Sequence, residues 1–158
     1  MPHLVTPDVL AEPDDAQLMW RAVEPAWNAV SIYDGPTRFA ADLAPLTPGQ
    51  RGLLALNWLA SEVYNGGFEQ LFDNPTRVVV PEALAGARLI GATRTAELID
   101  AAARAYGGAR PRGHKARGEA DALNEDFYAA ADSEMYPRGA AYVRAHPVEF
   151  AAGVAPGA

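Results

Sequence analysis

Apolar residues in this chain recur at three- and four-residue intervals, and that periodicity points to helices rather than strands. Leu18, Met19, Ala22 and Val23 form one such stripe, with Asp14 or Asp15 placed to cap its start. Pro25 is expected to end or kink this first helix, because it lacks an N–H and crowds the preceding turn. A segment with Trp27, Val30 and Ile32 then runs to the breaker Asp34-Gly35-Pro36, and a short helix is expected from Arg38 to Leu43. Residues 1–13, with three prolines, read as an extended N-terminal arm, and residues 14–158 as one helical domain.

The clearest helix start is Thr47-Pro48-Gly49-Gln50. Threonine accepts from an early backbone N–H, proline suits the first helical position, and glutamine closes a capping box. The run LLALNWLASEVY that follows is apolar around most of its circumference, so the helix near residues 48–65 belongs at the centre of a bundle. Gly66-Gly67 should end it, with a short further turn from Phe68 to Phe72. Helices are expected over Pro81–Ile90 and Thr93–Tyr106, the latter turning Leu98, Ile99, Ala102 and Tyr106 inward. A glycine-rich basic loop at 107–118, an acidic helix over Glu119–Met135 and a last helix over Arg138–Ala145 complete the pattern. Val78-Val79-Val80 is the one strand-like run, too short and too isolated for a sheet. The fold class is all-α, a single domain of about seven to eight helices.

Composition narrows the chemistry. The chain has 158 residues, nearly half of them apolar, and no cysteine, which removes disulfides and thiolate chemistry. The N-terminus has no basic leader with an apolar core, and no apolar run approaches the roughly 20 residues that span a bilayer. A cytoplasmic protein with no membrane partner is expected. His3, His114 and His146 are far apart and form no HExxH or ExxH pair, so no metal and no cofactor are expected. Ser31, Ser61 and Ser133 stand outside any nucleophile motif. No phosphate-binding glycine loop is present, and no residue is assigned a catalytic role.

Charge is unevenly distributed around a net value of -7. Residues 1–34 carry six acids against one arginine; residues 119–134 carry six acids and no base. Between them, Arg110, Arg112, Lys115 and Arg117 make residues 108–118 basic. That stretch could meet phosphates, but no aromatic residue interleaves it and the chain as a whole is acidic, so direct nucleic-acid binding is not expected. On a helical wheel Asp121, Glu125 and Asp132 fall within about 40° of one another, while Glu119 and Asp126 form a second row about 130° away. Ala122 and Ala129 lie between the rows, and Leu123, Phe127, Ala131 and Met135 face the core. The first row is spaced roughly 6 and 10 Å along the axis, near the interval between backbone phosphates. With Asp14 and Asp15, these acids are the expected partner-binding surface. The alternative for them is an ordinary solvated helix face.

A second polar cluster lies in EVYNGGFEQLFDN. Glu62 and Glu69, near Asn65 and Asn74, could serve as an acid/base pair only if they converged on a pocket. The competing account is structural: Phe68, Leu71 and Phe72 anchor a turn in the core. Glu62, Asn65, Gln70 and Asn74 then satisfy backbone groups freed where Gly66 and Gly67 break the helix.

From Leu53 to Tyr106 the sequence resembles a bacterial family of unknown-function domains whose best-characterised branch is a DNA-mimic protein. The matching pieces are ASEVYNGGFEQLFDN (60–74), EALAGARLIGA (82–92) and AAYVRAHPVEF (140–150). The resemblance implies an all-helical fold without catalysis. For that branch it implies an acidic homodimer occupying the DNA-binding surface of a transcription factor.

Overall fold

The computed structural model describes residues 5–107 and 114–151, and the side chains of 114–117 and of 151 lie outside the description. The described residues contain helices and their connections and no strand, in an all-α single domain. In chain order the helices are α1 (Pro7–Leu10), α2 (Asp15–Trp27), α3 (Gly35–Leu43), α4 (Pro48–Asp73), α5 (Val80–Leu89), α6 (Thr93–Tyr106), α7 (His114–Ala130), α8 (Tyr136–Ala145) and α9 (Pro147–Ala151). A 3-10 turn, Pro75–Val79, joins α4 to α5, and a π-helical turn, Ala131–Met135, joins α7 to α8.

Helix α4 is the axis of the bundle. Its start carries the expected capping box: Thr47 Oγ1 accepts from Gln50 N at 3.2 Å and Gln50 Oε1 accepts from Thr47 N at 3.0 Å. A third contribution comes from the far end of the chain, where Glu149 Oε2 accepts from Gly49 N at 2.8 Å. Leu53, Leu54, Ala55, Leu56, Leu59 and Val63 are fully buried, as expected of a helix apolar on most sides. It packs on α2, α5, α6, α7 and α9. The crossing with α5 is a glycine-to-glycine approach: a methyl group on Gly52 would stand 2.7 Å from Gly86 Cα. Neither helix can carry a side chain there without the backbones separating.

Several boundaries differ from the sequence reading. Asp14 caps α2, accepting from Gln17 N at 2.9 Å, but Pro25 does not end it; the helix runs on to Trp27. A proline in the last turn forfeits one backbone bond, which the buried Ala26 and the stacked Trp27 beyond it outweigh. α3 starts at Gly35 rather than Arg38, since Gly35 adopts φ +85° and Pro36 then occupies the first turn. The stretch expected as an extended arm contains the turn α1. Arg21 reaches Asp8 and Glu12 at 3.2 Å each, and Arg144 Nη2 donates to Glu12 O at 2.8 Å. Val78-Val79-Val80 is helical, split between the 3-10 turn and α5.

The largest revision concerns residues 107–145. The expected loop lies partly outside the described residues, but its end does not: α7 begins at His114, so Lys115 and Arg117 sit on a helix. The acidic helix is also not regular to Met135. At Ala131 it widens into the π turn and passes without a gap into α8, earlier than the expected Arg138. Two residues explain the widening. Pro137 has no N–H to give to the preceding turn, and Ser133 Oγ bonds back to Ala129 O at 2.8 Å.

Candidate functional site

The corner at Gly66-Gly67 breaks α4 as expected. Gly66 takes φ -152° and Gly67 takes φ +73°, ψ 180°, the second a conformation that favours glycine. The break frees an N–H and a carbonyl that must find partners away from water. They find them on α7. Asn124 Oδ1 accepts from Phe68 N at 2.9 Å and so caps the second half of α4, while Tyr128 Oη donates to Val63 O at 3.1 Å. Phe68, fully buried, meets Phe127 edge-on at 5.4 Å.

The polar residues of the corner therefore do something other than expected. Glu62 Oε2 accepts from Gln70 Nε2 at 3.0 Å and from Asn74 Nδ2 at 3.2 Å, so side chain binds side chain across the break. Asn65 is exposed. The backbone groups are served by Asn124 and Tyr128, which the sequence reading did not single out. A signal existed for Asn124: on the wheel it falls about 20° from Ala131 and from Met135, a carboxamide on the apolar face. Glu69 is exposed, and the cleft of about 450 Å3 beside the corner is lined by Asn74 but by neither Glu62 nor Glu69. The two carboxylates do not form the paired site that acid/base chemistry requires.

On α7 and the π turn that follows it, the outward residues are those the wheel indicated. Glu119, Asp121, Glu125, Asp126 and Asp132 are exposed, as are Ala122 and Ala129 between the rows. Phe127, Ala131 and Met135 are fully buried and Leu123 half-buried. One member of the second row is already matched, since Asp126 lies 3.7 Å from Arg94 Nη2. Glu134 was not expected to matter. It stands on the inner side of the π turn and caps α6, which has no capping side chain of its own. Its carboxylate accepts from Arg94 N at 3.1 Å, Thr95 N at 2.9 Å and Thr95 Oγ1 at 3.0 Å.

Tyr136 opens α8, directly beyond the π turn. Burial, foremost, raises the Tyr136 hydroxyl pKa well above the usual value, and Tyr64, Asp132 and Asp14 add to it. Asp14 and Asp132, more than a hundred positions apart, thus act on one hydroxyl. Tyr64, raised by burial and then by Asp132, stacks on Tyr128 at 4.9 Å. Asp15 is half-buried, 3.6 Å from Arg144 Nη1. Tyr106 is raised by burial first and then by Asp121 and Glu69. Arg110 and Arg112 lie outside the described residues, as do the side chains of Lys115 and Arg117.

Among the described residues no group of three His, Asp or Glu side chains is arranged to hold a metal ion. None of their helices is long and apolar enough to cross a membrane. A family model described as DMP19-like protein matches residues 44–146, and the chain belongs to that family. The match runs from just before α4 through the corner and the acidic helix to the end of α8. No curated protein matches the chain, and no solved structure does.

Proposed function

We propose, from membership of that family, that this is a non-enzymatic protein-binding domain whose acidic face stands in for duplex DNA toward a basic, DNA-binding partner. The observation that carries the reading is the exposure of Glu119, Asp121, Glu125, Asp126 and Asp132 together along α7 and the π turn that follows it. Carboxylates held on a rigid helix and flanked by small alanines let a basic surface approach closely. Their summed field also raises association rates at low salt. The resemblance noted for residues 60–74 and 140–150 supports the same reading and extends it to a homodimer in the cytoplasm, with a transcription factor as the partner class.

The test is competitive retention. Immobilised protein is challenged with a lysate at low salt, and bound DNA-binding proteins are then eluted with duplex DNA or with a salt gradient. Retention should fall steeply as the screening length drops from about 30 Å at 0.01 M to about 8 Å at 0.15 M. The triple variant Asp121→Asn, Glu125→Gln, Asp132→Asn should retain little while keeping its helical content. Retention of no DNA-binding protein at low salt, or retention that duplex DNA cannot compete, removes the mimic reading.

A further inference from the structure

The carboxylates exposed on α7 share their face with a pair of stacked tyrosine rings, and the rings distinguish one kind of cation from another. Tyr128 stands within the first acidic row. Glu125 precedes it by three positions and Asp132 follows by four, so both are its neighbours on the helix surface, with Asp121 two turns back. Tyr64 of α4 stacks on Tyr128, the rings 4.9 Å apart and within 12° of parallel. Phe127 meets the Tyr64 ring at 6.4 Å and 64°, yet Tyr64 is 46% exposed. Tyr128 therefore covers one face of the Tyr64 ring, and the opposite face is the open one. The pair is also fixed in place, because Tyr128 Oη donates at 3.1 Å to the carbonyl of Val63, the residue before Tyr64.

Carboxylates alone attract any cation; an aromatic face beside them selects. Among the described residues Asp121, Glu125 and Asp132 make no ion pair, unlike Asp126, which meets Arg94. Their charge is left to a group from outside the chain. An ammonium is a compact, strongly hydrated point charge. A guanidinium is flat and weakly hydrated, and can stack on a ring while its N–H fork bonds a carboxylate. One open ring face with carboxylates on either side suits the guanidinium, whereas a quaternary ammonium calls for a cage of rings.

We propose that Tyr64 is the arginine-selecting position of the acidic face: the guanidinium of an incoming arginine lies flat on the open side of the Tyr64 ring and donates to the Asp132 carboxylate. This role rests on the reading of α7 as the surface that meets a basic protein, and adds to it a preference for arginine over lysine.

The test is a titration of the full chain with deca-arginine and with decalysine at low ionic strength, read by calorimetry and by proton–carbon correlation spectra of the tyrosine rings. Deca-arginine should bind more tightly and should move the Tyr64 ring signals saturably. Tyr64→Leu should lower the preference for arginine about two- to fivefold, the range of a cation–π contact at an exposed site. Tyr64→Phe removes the same hydroxyl, and with it the hydrogen bond to Tyr136, but keeps the ring and should keep most of the preference. The ring signals of the unmodified chain decide the matter even if Tyr64→Leu fails to fold. Ring signals that stay still while deca-arginine binds, or an unchanged preference in Tyr64→Leu, overturn the role of Tyr64 and leave the acidic face standing. Binding of neither peptide removes both.

Discussion

Asn124→Ala is the most direct test of how the corner is held. The side chain accepts from Phe68 N at 2.9 Å, at the point where Gly67 turns the chain and the second half of α4 begins. Losing an N-terminal cap costs about 0.5–2 kcal/mol. Here the bond is part-buried beside the fully buried Phe68 and Phe127, which limits how far solvent can replace the lost oxygen. Leaving a buried donor unmatched costs about 1–3 kcal/mol. The two figures describe the same bond and overlap, which sets the expectation at about 2 kcal/mol, or ~4–8 °C in Tm for a domain of this size. Urea unfolding followed by circular dichroism measures it, with Asn124→Asp as the variant that keeps the accepting oxygen. Gly67→Ala supplies a second handle. It forces a methyl to 2.7 Å from Asn124 Nδ2 at a positive φ, so part of its cost should disappear in the Asn124→Ala background. A change below about 0.5 kcal/mol for Asn124→Ala, the range of an ordinary surface substitution, would refute the capping role.

Glu134→Ala should destabilise the fold by about 1–3 kcal/mol, because it removes the shared acceptor of Arg94 N, Thr95 N and Thr95 Oγ1. Glu125→Ala, exposed nine positions earlier, should stay within about 0.5 kcal/mol in the same denaturation series. Gly52→Ala and Gly86→Ala should each cost about 1–3 kcal/mol or more by thermal unfolding, since the new methyl meets backbone rather than a movable side chain. Stability should also fall with rising pH in the alkaline range. Burial, then Glu149, lifts the Tyr142 hydroxyl from 10.0 to about 12. A folded-state pKa above the unfolded one gives stability that is complete below the unfolded value and lost as pH rises through the folded one. The window is therefore about pH 10 to 12, and Tyr142→Phe should lessen the fall of denaturant midpoints across it, the rest belonging to the raised Tyr64, Tyr106 and Tyr136. Phenolate absorbance would show whether Tyr142 titrates late.

The elements legible in the sequence are those whose cause is local. The Thr47 capping box, the glycine break at Gly66-Gly67 and the span Thr93–Tyr106 each depend on residues within a few positions, and each forms where expected. The misreadings have mixed causes. Pro25 sits inside α2 because tertiary burial of Ala26 and stacking of Trp27 outweigh a local rule. Lys115 and Arg117 were assigned to a loop on their glycine-rich surroundings, yet the helix begins at His114. The π turn at Ala131–Met135 has a local cause in Ser133 and Pro137, but its consequence is not local. It turns Glu134 toward α6, 39 positions earlier in the chain. Glu62, Gln70 and Asn74 read as a structural set, but not as partners of one another, because the acceptor that serves Phe68 N, Asn124 Oδ1, comes from 56 positions further along the chain.

Helix α7 therefore carries two assignments on one turn, and any test of the acidic face depends on keeping them apart. Asn124 points inward to cap Phe68, and its neighbours Glu125 and Asp126 point outward. Tyr128, one turn on, holds Val63 O from the inner side while stacking on the partly exposed Tyr64. A substitution that loosens this turn would lower partner binding without touching a binding group. Neutralising Asp121, Glu125 and Asp132 avoids that confusion, because none of the three supplies a bond to the corner. Asn124→Ala provides the matching control. Loss of retention in the charge variant at full stability assigns the effect to the surface, whereas equal loss in Asn124→Ala traces it to the corner that orients the helix.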